Sequence, residues 1–415
     1  MPSQRQQAQQ PGDNGKAPGE PGEPSGEQME GLSPLEEASR LHDLAVSLRT
    51  QGQYAEAASS ARQALALCER EVGADHPDVA NILNNLAGIH QDQGEYGQAE
   101  RLFQRSVAIM EQMTGSLEVE VLRVQALCGL AGVYRVQGRY GEAEPLFRQA
   151  LQRAQAALGP DHLEVATCLN DLAVLYKYTG QFAEARRLYR RALAITQRVL
   201  GPAHPDVAAL YHNLGGLEHA RGRYAHGERW ARQAVAIREQ ALGPEHPDVA
   251  ADMAALAGLL DGQGKFEEAE ALYRHALAVF ERTFGPEHYE VAVTCNNLAA
   301  LAYARGNHTE AEALYRRALT IKENVLGPEH PDVAMTVNNL AVLYTSGEQY
   351  AEAEPLYQRA LAIFEAHLGP THPKVVTCLQ NYAQLLRDTQ RQAEAVALEA
   401  RAKPARPRHT RRAGS

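Results

Sequence analysis

Apolar residues recur at helical spacing along most of the chain, in pairs of runs separated by a glycine. In one pair the first run, which begins at Leu169, has apolar positions at i, i+3, i+4 and i+7, on a single helix face. The second run, over 182–200, has the same period. Gly180 lies between the two runs, where a tight turn needs a permissive backbone. The pattern predicts two antiparallel helices joined by a short turn.

The helical pair is repeated with a period of 42 residues. The histidine that precedes each pair shows this interval: His162, His204, His246, His288, His330 and His372. The residue two positions after the turn glycine marks nine copies: Tyr54, Tyr96, Tyr140, Phe182, Tyr224, Phe266, His308, Tyr350 and Gln392. Neither helix of a pair can bury its apolar stripe alone, so the copies must stack. We therefore predict an all-α fold, an α-solenoid of about nine helix-turn-helix repeats over residues 34–402.

The third copy departs from the repeat. Two extra residues fall between Gly115 and Leu130, and Ser116 stands where other copies have a His-Pro pair. Elsewhere a proline in the first turn and an acidic residue after it favour the start of the helix. Because the third copy lacks this pair, we expect few capping groups and a distorted helix start over 116–124.

The two ends of the chain differ from the repeats. Residues 1–33 are rich in Gln, Pro, Gly and Glu, and they have too few large apolar side chains to order themselves. Residues 403–415 carry five cations and no acid. We expect both segments to be disordered tails, and either could bind a partner.

The composition also bears on the compartment. No apolar stretch is long enough to cross a membrane, and the N-terminus lacks the apolar region of a secretory signal. The five cysteines are dispersed and odd in number, which favours reduced, buried thiols over a disulfide, redox or metal role. We expect a cytoplasmic monomer that does not associate with membranes.

Charge and motifs argue against several classes of function. The chain has a formal charge of −10 and the repeats alone carry about −12, so we expect no binding to nucleic acid, whose phosphates such a surface repels. No P-loop, G-x-S-x-G or dinucleotide-binding glycine motif is present. The repeated histidines lie in different copies, and His212 and His219 are seven residues apart, whereas a helical metal pair is usually four apart. We predict no enzymatic activity, no cofactor and no metal site.

The repeat resembles the tetratricopeptide repeat (TPR). The residues that carry the resemblance in one copy are Leu172, Ala173, Tyr176, Gly180, Phe182, Ala185, Tyr189 and Ala192. The 42-residue period, the Leu-Gly-Pro-Glu-His-Pro-Asp-Val-Ala joins and the run Val337–Ala341 are similar to repeats of the kinesin light chain and nephrocystin type. The resemblance covers about residues 35–400. It implies a right-handed superhelix whose first helices line a concave groove.

The two residues before the core Leu-Ala pair of each first helix are candidates for that groove. Asparagine is a mediocre helix former, so its repetition in mid-helix needs another reason. A carboxamide can bind a peptide backbone of any sequence, since it has two donors and an acceptor, and the resemblance implies such contact at the second position. The alternative is that these residues bond to neighbouring helices and only lock the stacking. The candidates are Asn84, Asn85, Asn170, Asp171, His212, Asn213, Asn296, Asn297, Asn338, Asn339 and Asn381.

One turn further along the first helices, Arg135 and Lys177 lie in adjacent copies. They could form a positive site for an acidic residue of a ligand, or they could be solvated helix charges. The predicted function is a non-enzymatic scaffold that binds a partner protein through a peptide or short helix in the groove. The alternatives are a regulatory or sensor subunit whose superhelix changes pitch on ligand binding, and a kinesin light chain-like cargo adaptor.

Overall fold

The computed structural model describes residues 32–113, 116–368, 370 and 372–402, and within them the chain forms eighteen α-helices and no strand. The helices are α1 (Pro34–Thr50), α2 (Tyr54–Val72), α3 (Pro77–Asp92), α4 (Tyr96–Gln112), α5 (Leu117–Val136), α6 (Tyr140–Leu158), α7 (Leu163–Tyr178), α8 (Phe182–Leu200), α9 (Pro205–Ala220), α10 (Tyr224–Leu242), α11 (Pro247–Asp261), α12 (Phe266–Phe284), α13 (Tyr289–Ala304), α14 (His308–Leu326), α15 (Pro331–Ser346), α16 (Tyr350–Leu368), α17 (Pro373–Asp388) and α18 (Gln392–Ala402). They form consecutive antiparallel pairs, here called repeats 1 to 9. The predicted all-α solenoid is confirmed, whereas the expectations for residues 1–31 and 403–415 lie outside the described residues.

A histidine caps the first helix of most repeats. In repeat 5, for example, Nδ1 of His204 accepts a hydrogen bond from the backbone N–H of Asp206 at 3.2 Å, and Pro205 occupies the first helical position. Pro205 has no N–H to satisfy there, and Asp206 places negative charge at the positive end of the helix. The repeated histidines therefore stand at the starts of the first helices, as N-cap residues.

The core runs continuously between repeats. Small residues allow close approach of the helices: Ala185 and Ala192 are fully buried in α8, and the Tyr189 ring is fully buried between them. The Leu172-Ala173 pair of α7 is buried as well, with 3% and 0% of its surface exposed. A fully buried Leu side chain contributes about 1.5–3 kcal/mol through removal of apolar surface from water.

The array is curved, with the odd-numbered helices on the inside. Each odd-numbered helix contacts the next odd-numbered helix as well as its even-numbered neighbours. The even-numbered helices make no comparable contact with one another in the part of the chain described. The inner surface therefore belongs to the odd-numbered helices, which carry all the predicted groove residues.

The start of α5 in repeat 3 is regular, and the expectation of few capping groups was wrong. The Ser116 side chain accepts a hydrogen bond from the backbone N–H of Val119 at 3.2 Å, which replaces the histidine cap. Arg123, only 5% exposed, donates to the carbonyl of Met113 at 2.9 Å and to that of Met110 at the end of α4. The guanidinium thus supplies a charged donor at the end of α4, where intrahelical donors run out.

Candidate functional site

Asparagines of neighbouring repeats bond to each other along the inner surface. The second residue of one candidate pair donates through Nδ2 to Oδ1 of the first residue in the preceding repeat. These asparagine rungs are Asn213–Asn170 at 2.8 Å, Asn339–Asn296 at 3.3 Å and Asn381–Asn338 at 3.3 Å. The rungs favour the stacking alternative for these residues. Each rung uses one N–H of the donor amide, which leaves the other N–H and the oxygen for a further partner.

The rungs are interrupted at repeat 3, where the candidate pair is Cys128-Gly129. Gly129 has no side chain to donate, and Oδ1 of Asn84 is buried without a partner among the described residues. The Asn84 amide instead donates to the carbonyl of Leu122 at 3.4 Å. Asp171 stands in the donor position of the next repeat and accepts from Asn170 at 3.2 Å within its own helix. Gly129 thus removes the rung to repeat 2, and Cys128 with Asp171, a carboxylate that has no N–H to donate, removes the rung to repeat 4.

Repeat 6 interrupts the rungs again, because its pair is Ala254-Ala255. Ala254 stands where Asn297 of repeat 7 would find its acceptor. Asn297 is half-buried and makes no side-chain hydrogen bond within the described residues. Its carboxamide is therefore available on the inner surface.

Cavities open on the inner surface at both interruptions. The one at repeat 3 has a volume of about 570 Å³ and is lined by Gly129, Gly132 and Arg135, among others. The one at repeat 6 has a volume of about 280 Å³ and reaches from His212 to Asn297. A third, of about 260 Å³, lies beside the intact Asn213–Asn170 rung. A missing rung is thus not needed for a cavity, but at repeat 6 it leaves the carboxamide of Asn297 without a partner inside one.

His212 is held in the wall of the repeat 6 cavity by a buried carboxylate. Its Nδ1 lies 2.8 Å from Oδ1 of Asp252, whose side chain is completely buried, and Nη1 of Arg238 lies 3.1 Å from the other carboxylate oxygen. The contact between Nδ1 and Asp252 fixes the orientation of the imidazole. The imidazole remains 39% exposed, so the pair orients a polar group that a ligand can reach.

Arg135 and Lys177 lie on the ring of Tyr178. The Arg135 Cζ and the Lys177 Nζ are each 5.3 Å from the centroid of this ring, which is half exposed. Neither cation has a carboxylate within ion-pair distance in the described residues, whereas Arg274 on the outer surface lies 2.7 Å from Glu310. Burial, reinforced by Arg135, lowers the pKa of Lys177. Adjacent copies therefore place two unpaired cations on one aromatic ring.

The sequence profile of the tetratricopeptide repeat matches most of this array. The matched segments are 36–112, 122–198, 177–240, 206–282, 259–324, 289–366 and 333–408. The chain belongs to the tetratricopeptide repeat family. No curated protein matches the chain at a significant level.

Solved structures similar to this TPR array include kinesin light chain-like proteins. BtubC (BKLC) from P. vanneervenii is 27% identical over 56% of this chain and 91% of its own, with a TM-score of 0.42. A Podosopora anserina putative kinesin light chain with nearly identical TPR-like repeats is 28% identical over 50% of this chain and 98% of its own, with a TM-score of 0.41. A Rap protein complexed with Competence and Sporulation Factor is 16% identical over 79% of this chain and 97% of its own, with a TM-score of 0.50, a likeness of fold alone.

The described residues of the TPR array also bear on metal binding, membrane insertion and thiol chemistry. Within the described ranges, no three His, Cys, Asp or Glu side chains come together as metal ligands. No helix of the described residues is both long and apolar enough to span a membrane. The five cysteines are free thiols, and Cys128 alone among them is not fully buried. Burial raises the pKa of Asp171 to about 6, against the opposing effects of Asn170 and Arg135.

Sequence reasoning named the asparagines but missed several groups around them. Tyr178, which receives both cations, and Asp252, which holds His212, were not among the candidates. The pairing rule had a visible signal, since the two residues of each rung are 43 positions apart. The small residues Gly132, Gly216 and Gly258 at one helix position are a second signal, because they leave space beside the inner surface.

Proposed function

We propose that this TPR array is a non-enzymatic scaffold that binds a partner protein through an extended peptide or short helix on its inner surface. The observation that carries the proposal is Asn297. Its carboxamide lies half-buried in the wall of a cavity of about 280 Å³ and has no partner in the described residues. A peptide backbone offers both an N–H and a C=O, which are the two groups that a free carboxamide can bind.

The surroundings of Asn297 favour a neutral, hydrogen-bonding portion of the partner. No lysine, arginine or carboxylate is among the residues that line this cavity. The polar groups there are His212, His219, Tyr273 and Asn297 itself. Burial lowers the pKa of His219, so that ring is neutral near pH 7. A main-chain amide or a carboxamide side chain fits this lining better than a charged group, which would lose hydration without gaining an opposite charge.

The surroundings of Tyr178 favour an acidic residue of the same partner. Arg135 and Lys177 hold two positive charges on one exposed ring and lack a carboxylate partner in the described chain. An incoming carboxylate would gain charge-assisted hydrogen bonds from both. The proposed partner is thus a peptide with an acidic residue at repeats 3 and 4 and a neutral segment at repeats 6 and 7.

The first step of the test selects peptides that bind the intact protein from a displayed library of random 12-residue peptides, whose binding is then measured by fluorescence polarisation. The variant Ala254→Asn offers Asn297 the missing rung. It should weaken selected peptides about twofold to tenfold, because each lost hydrogen bond is worth about 0.5–1.5 kcal/mol.

A second variant, Arg135→Gln with Lys177→Gln, should weaken acidic peptides by more than tenfold, because bonds to charged groups are worth about 1.5–3 kcal/mol. The matched control is Arg187→Gln on α8, where the side chain is 72% exposed and lies on an even-numbered helix. Equal affinity of all three variants would refute the inner surface as the binding site. A folded protein that selects no peptide would refute the scaffold proposal itself.

A further inference from the structure

The turn glycines of the first three repeats have close neighbours from distant repeats, unlike the turn glycines of repeats 4 to 7. A Cβ atom added to Gly52 or Gly94 would overlap the ring of His288 or His330. One added to Gly138 would lie 2.8 Å from Cδ2 of His372 and 2.9 Å from the Leu368 carbonyl oxygen. The equivalent glycines of repeats 4 to 7 have nothing within 4 Å of such an atom: Gly180, Gly222, Gly264 and Gly306. Each of the first three turns therefore packs against a distant part of the chain.

These contacts follow one rule. The turn of repeat 1 meets the start of repeat 7, the turn of repeat 2 meets the start of repeat 8, and the turn of repeat 3 meets the start of repeat 9. The rule requires that the superhelix complete one turn in about six repeats, so that successive turns touch. Repeats 4 to 7 have no repeat six places further on, which explains why no atom of the described chain lies against their turn glycines. The two-residue insertion in repeat 3 does not break the rule.

Burial of the capping histidines gives a second, independent contrast. His330 and His372 are 7% and 8% exposed. His76 and His204, which cap helices in the same way in repeats without a facing turn, are only partly buried, and so is His288, so the contrast in burial holds for two of the three histidines. Aromatic rings complete the contact, because the rings of Tyr96 and His330 are 6.3 Å apart and those of Tyr140 and His372 are 6.4 Å apart.

The contact has an internal weakness. Nδ1 of His330 accepts the capping bond from the N–H of Asp332 at 3.0 Å, so the proton of the neutral ring is on Nε2. That Nε2 is buried without a partner in the described residues. A buried donor without an acceptor is destabilising. The contact between turns is therefore close-packed, but it leaves one buried donor of His330 unsatisfied.

The charges around the histidines also favour a neutral ring. Burial lowers the pKa of His330 to about 4; Asp332 opposes the effect, whereas Lys374, His367 and Lys322 add to it. Burial and Lys374 lower the pKa of His372 to about 4. Burial lowers the pKa of His288 too, against the main chain of Gln51. The groups that face His330 come from every element packed on it: Tyr96, Lys322, Asp332, His367 and Lys374.

We propose that these three histidine–glycine contacts are a latch that holds successive turns of the superhelix together and closes sideways access to the inner surface. The latch consists of Gly52 with His288, Gly94 with His330 and Gly138 with His372. While it is closed, a partner reaches the inner surface between these turns only along the superhelix axis. When it opens, the pitch increases and the inner surface becomes accessible from the side. The latch is independent of which partner the inner surface binds.

Cross-linking tests the closed state directly. The rings of Tyr140 and His372 are 6.4 Å apart across this contact, so cysteines at these two positions add no volume to the turn. The full chain with Tyr140→Cys and His372→Cys should be cross-linked by a short bis-maleimide, as shown by peptide mapping. The control, Phe182→Cys with His372→Cys, uses the equivalent position of repeat 4 and should not be cross-linked, since the turn at Gly180 has no neighbour. Absence of the cross-link in a folded protein, or equal cross-linking in the control, would overturn the latch.

A second measurement does not depend on cysteine chemistry. Gly94→Ala and Gly264→Ala impose the same backbone strain, because φ is +77° at Gly94 and +75° at Gly264. Only Gly94 faces a histidine. Small-angle X-ray scattering should show a larger radius of gyration for Gly94→Ala and an unchanged one for Gly264→Ala, with equal helical content by circular dichroism. Equal radii for both variants would show that the turns do not touch in solution.

Discussion

Two asparagines at equivalent positions in adjacent repeats should respond in opposite directions to the same substitution. Asn339 donates to Asn296 at 3.3 Å, whereas Asn297 has no partner in the described residues because Ala254 replaces its acceptor. Alanine is the better helix former, and the exchange should stabilise a helix by about 0.5 kcal/mol at either site. Only at Asn339 does the change also remove a hydrogen bond.

The magnitude of that loss follows from the contacts of the acceptor. Oδ1 of Asn296 also lies 3.3 Å from the Thr336 hydroxyl, so the loss of Asn339 does not leave it unpaired. The bond should therefore contribute about 0.5–1.5 kcal/mol without an additional desolvation term. We expect Asn339→Ala to change stability by between about zero and 1 kcal/mol in the destabilising direction, and Asn297→Ala to stabilise by about 0.5 kcal/mol.

Native-state hydrogen exchange is the suitable assay, because a long repeat array need not unfold in a single step. Exchange in α13 should slow about twofold in Asn297→Ala, and exchange in α15 should be unchanged or up to about fivefold faster in Asn339→Ala. In the same samples, Asn297→Ala should weaken the selected peptides. A destabilising Asn297→Ala would show that this amide has a structural partner, and unchanged peptide binding would end its assignment to the site.

Three further predictions concern other parts of the array. Arg123→Leu should accelerate amide exchange over 117–124 by more than tenfold, because hydrogen bonds from a charged group to the carbonyls at the end of α4 are worth about 1.5–3 kcal/mol. In the unaltered protein, 117–124 should exchange as slowly as 205–211, and unequal rates there would contradict a regular start of α5. Acidification should open the latch, because the closed state lowers the pKa of His330 and of His372 to about 4 and so favours their neutral rings. The free energy of closing is therefore fully favourable above pH 6.5 and weakens towards pH 4, by about 1.4 kcal/mol per histidine at pH 5.5. The radius of gyration from X-ray scattering at pH 7 and pH 5.5 measures this opening, and a variant with His330→Asn and His372→Asn should show no change with pH. In the cross-linked Tyr140→Cys/His372→Cys protein, the radius of gyration should stay constant between pH 7 and 5.5; a change there would place the pH response elsewhere.

Features that depend on neighbours in sequence were determined by the sequence alone. The 42-residue period predicted the paired helices, and the first-turn prolines and turn glycines predicted their ends, because each involves only groups a few residues apart. Ser116 shows the limit of this reasoning. Its cap is local, but the missing His-Pro pair made the helix start look irregular in the sequence. Arg123 also ties α5 to the end of the preceding helix through the Met113 carbonyl, a contact between two helices that no local pattern shows.

The inner surface and the latch were decided by tertiary structure. Repetition of asparagine indicated a role on one helix face, but whether an amide bonds to its neighbour or stays available depends on what stands 43 residues away, as Ala254 does for Asn297. The contact of Gly94 with His330 depends on more still, because the pitch of a superhelix is the sum of small rotations at every interface between repeats. Each rotation is set by the volumes of the packed side chains, and no local pattern records their sum.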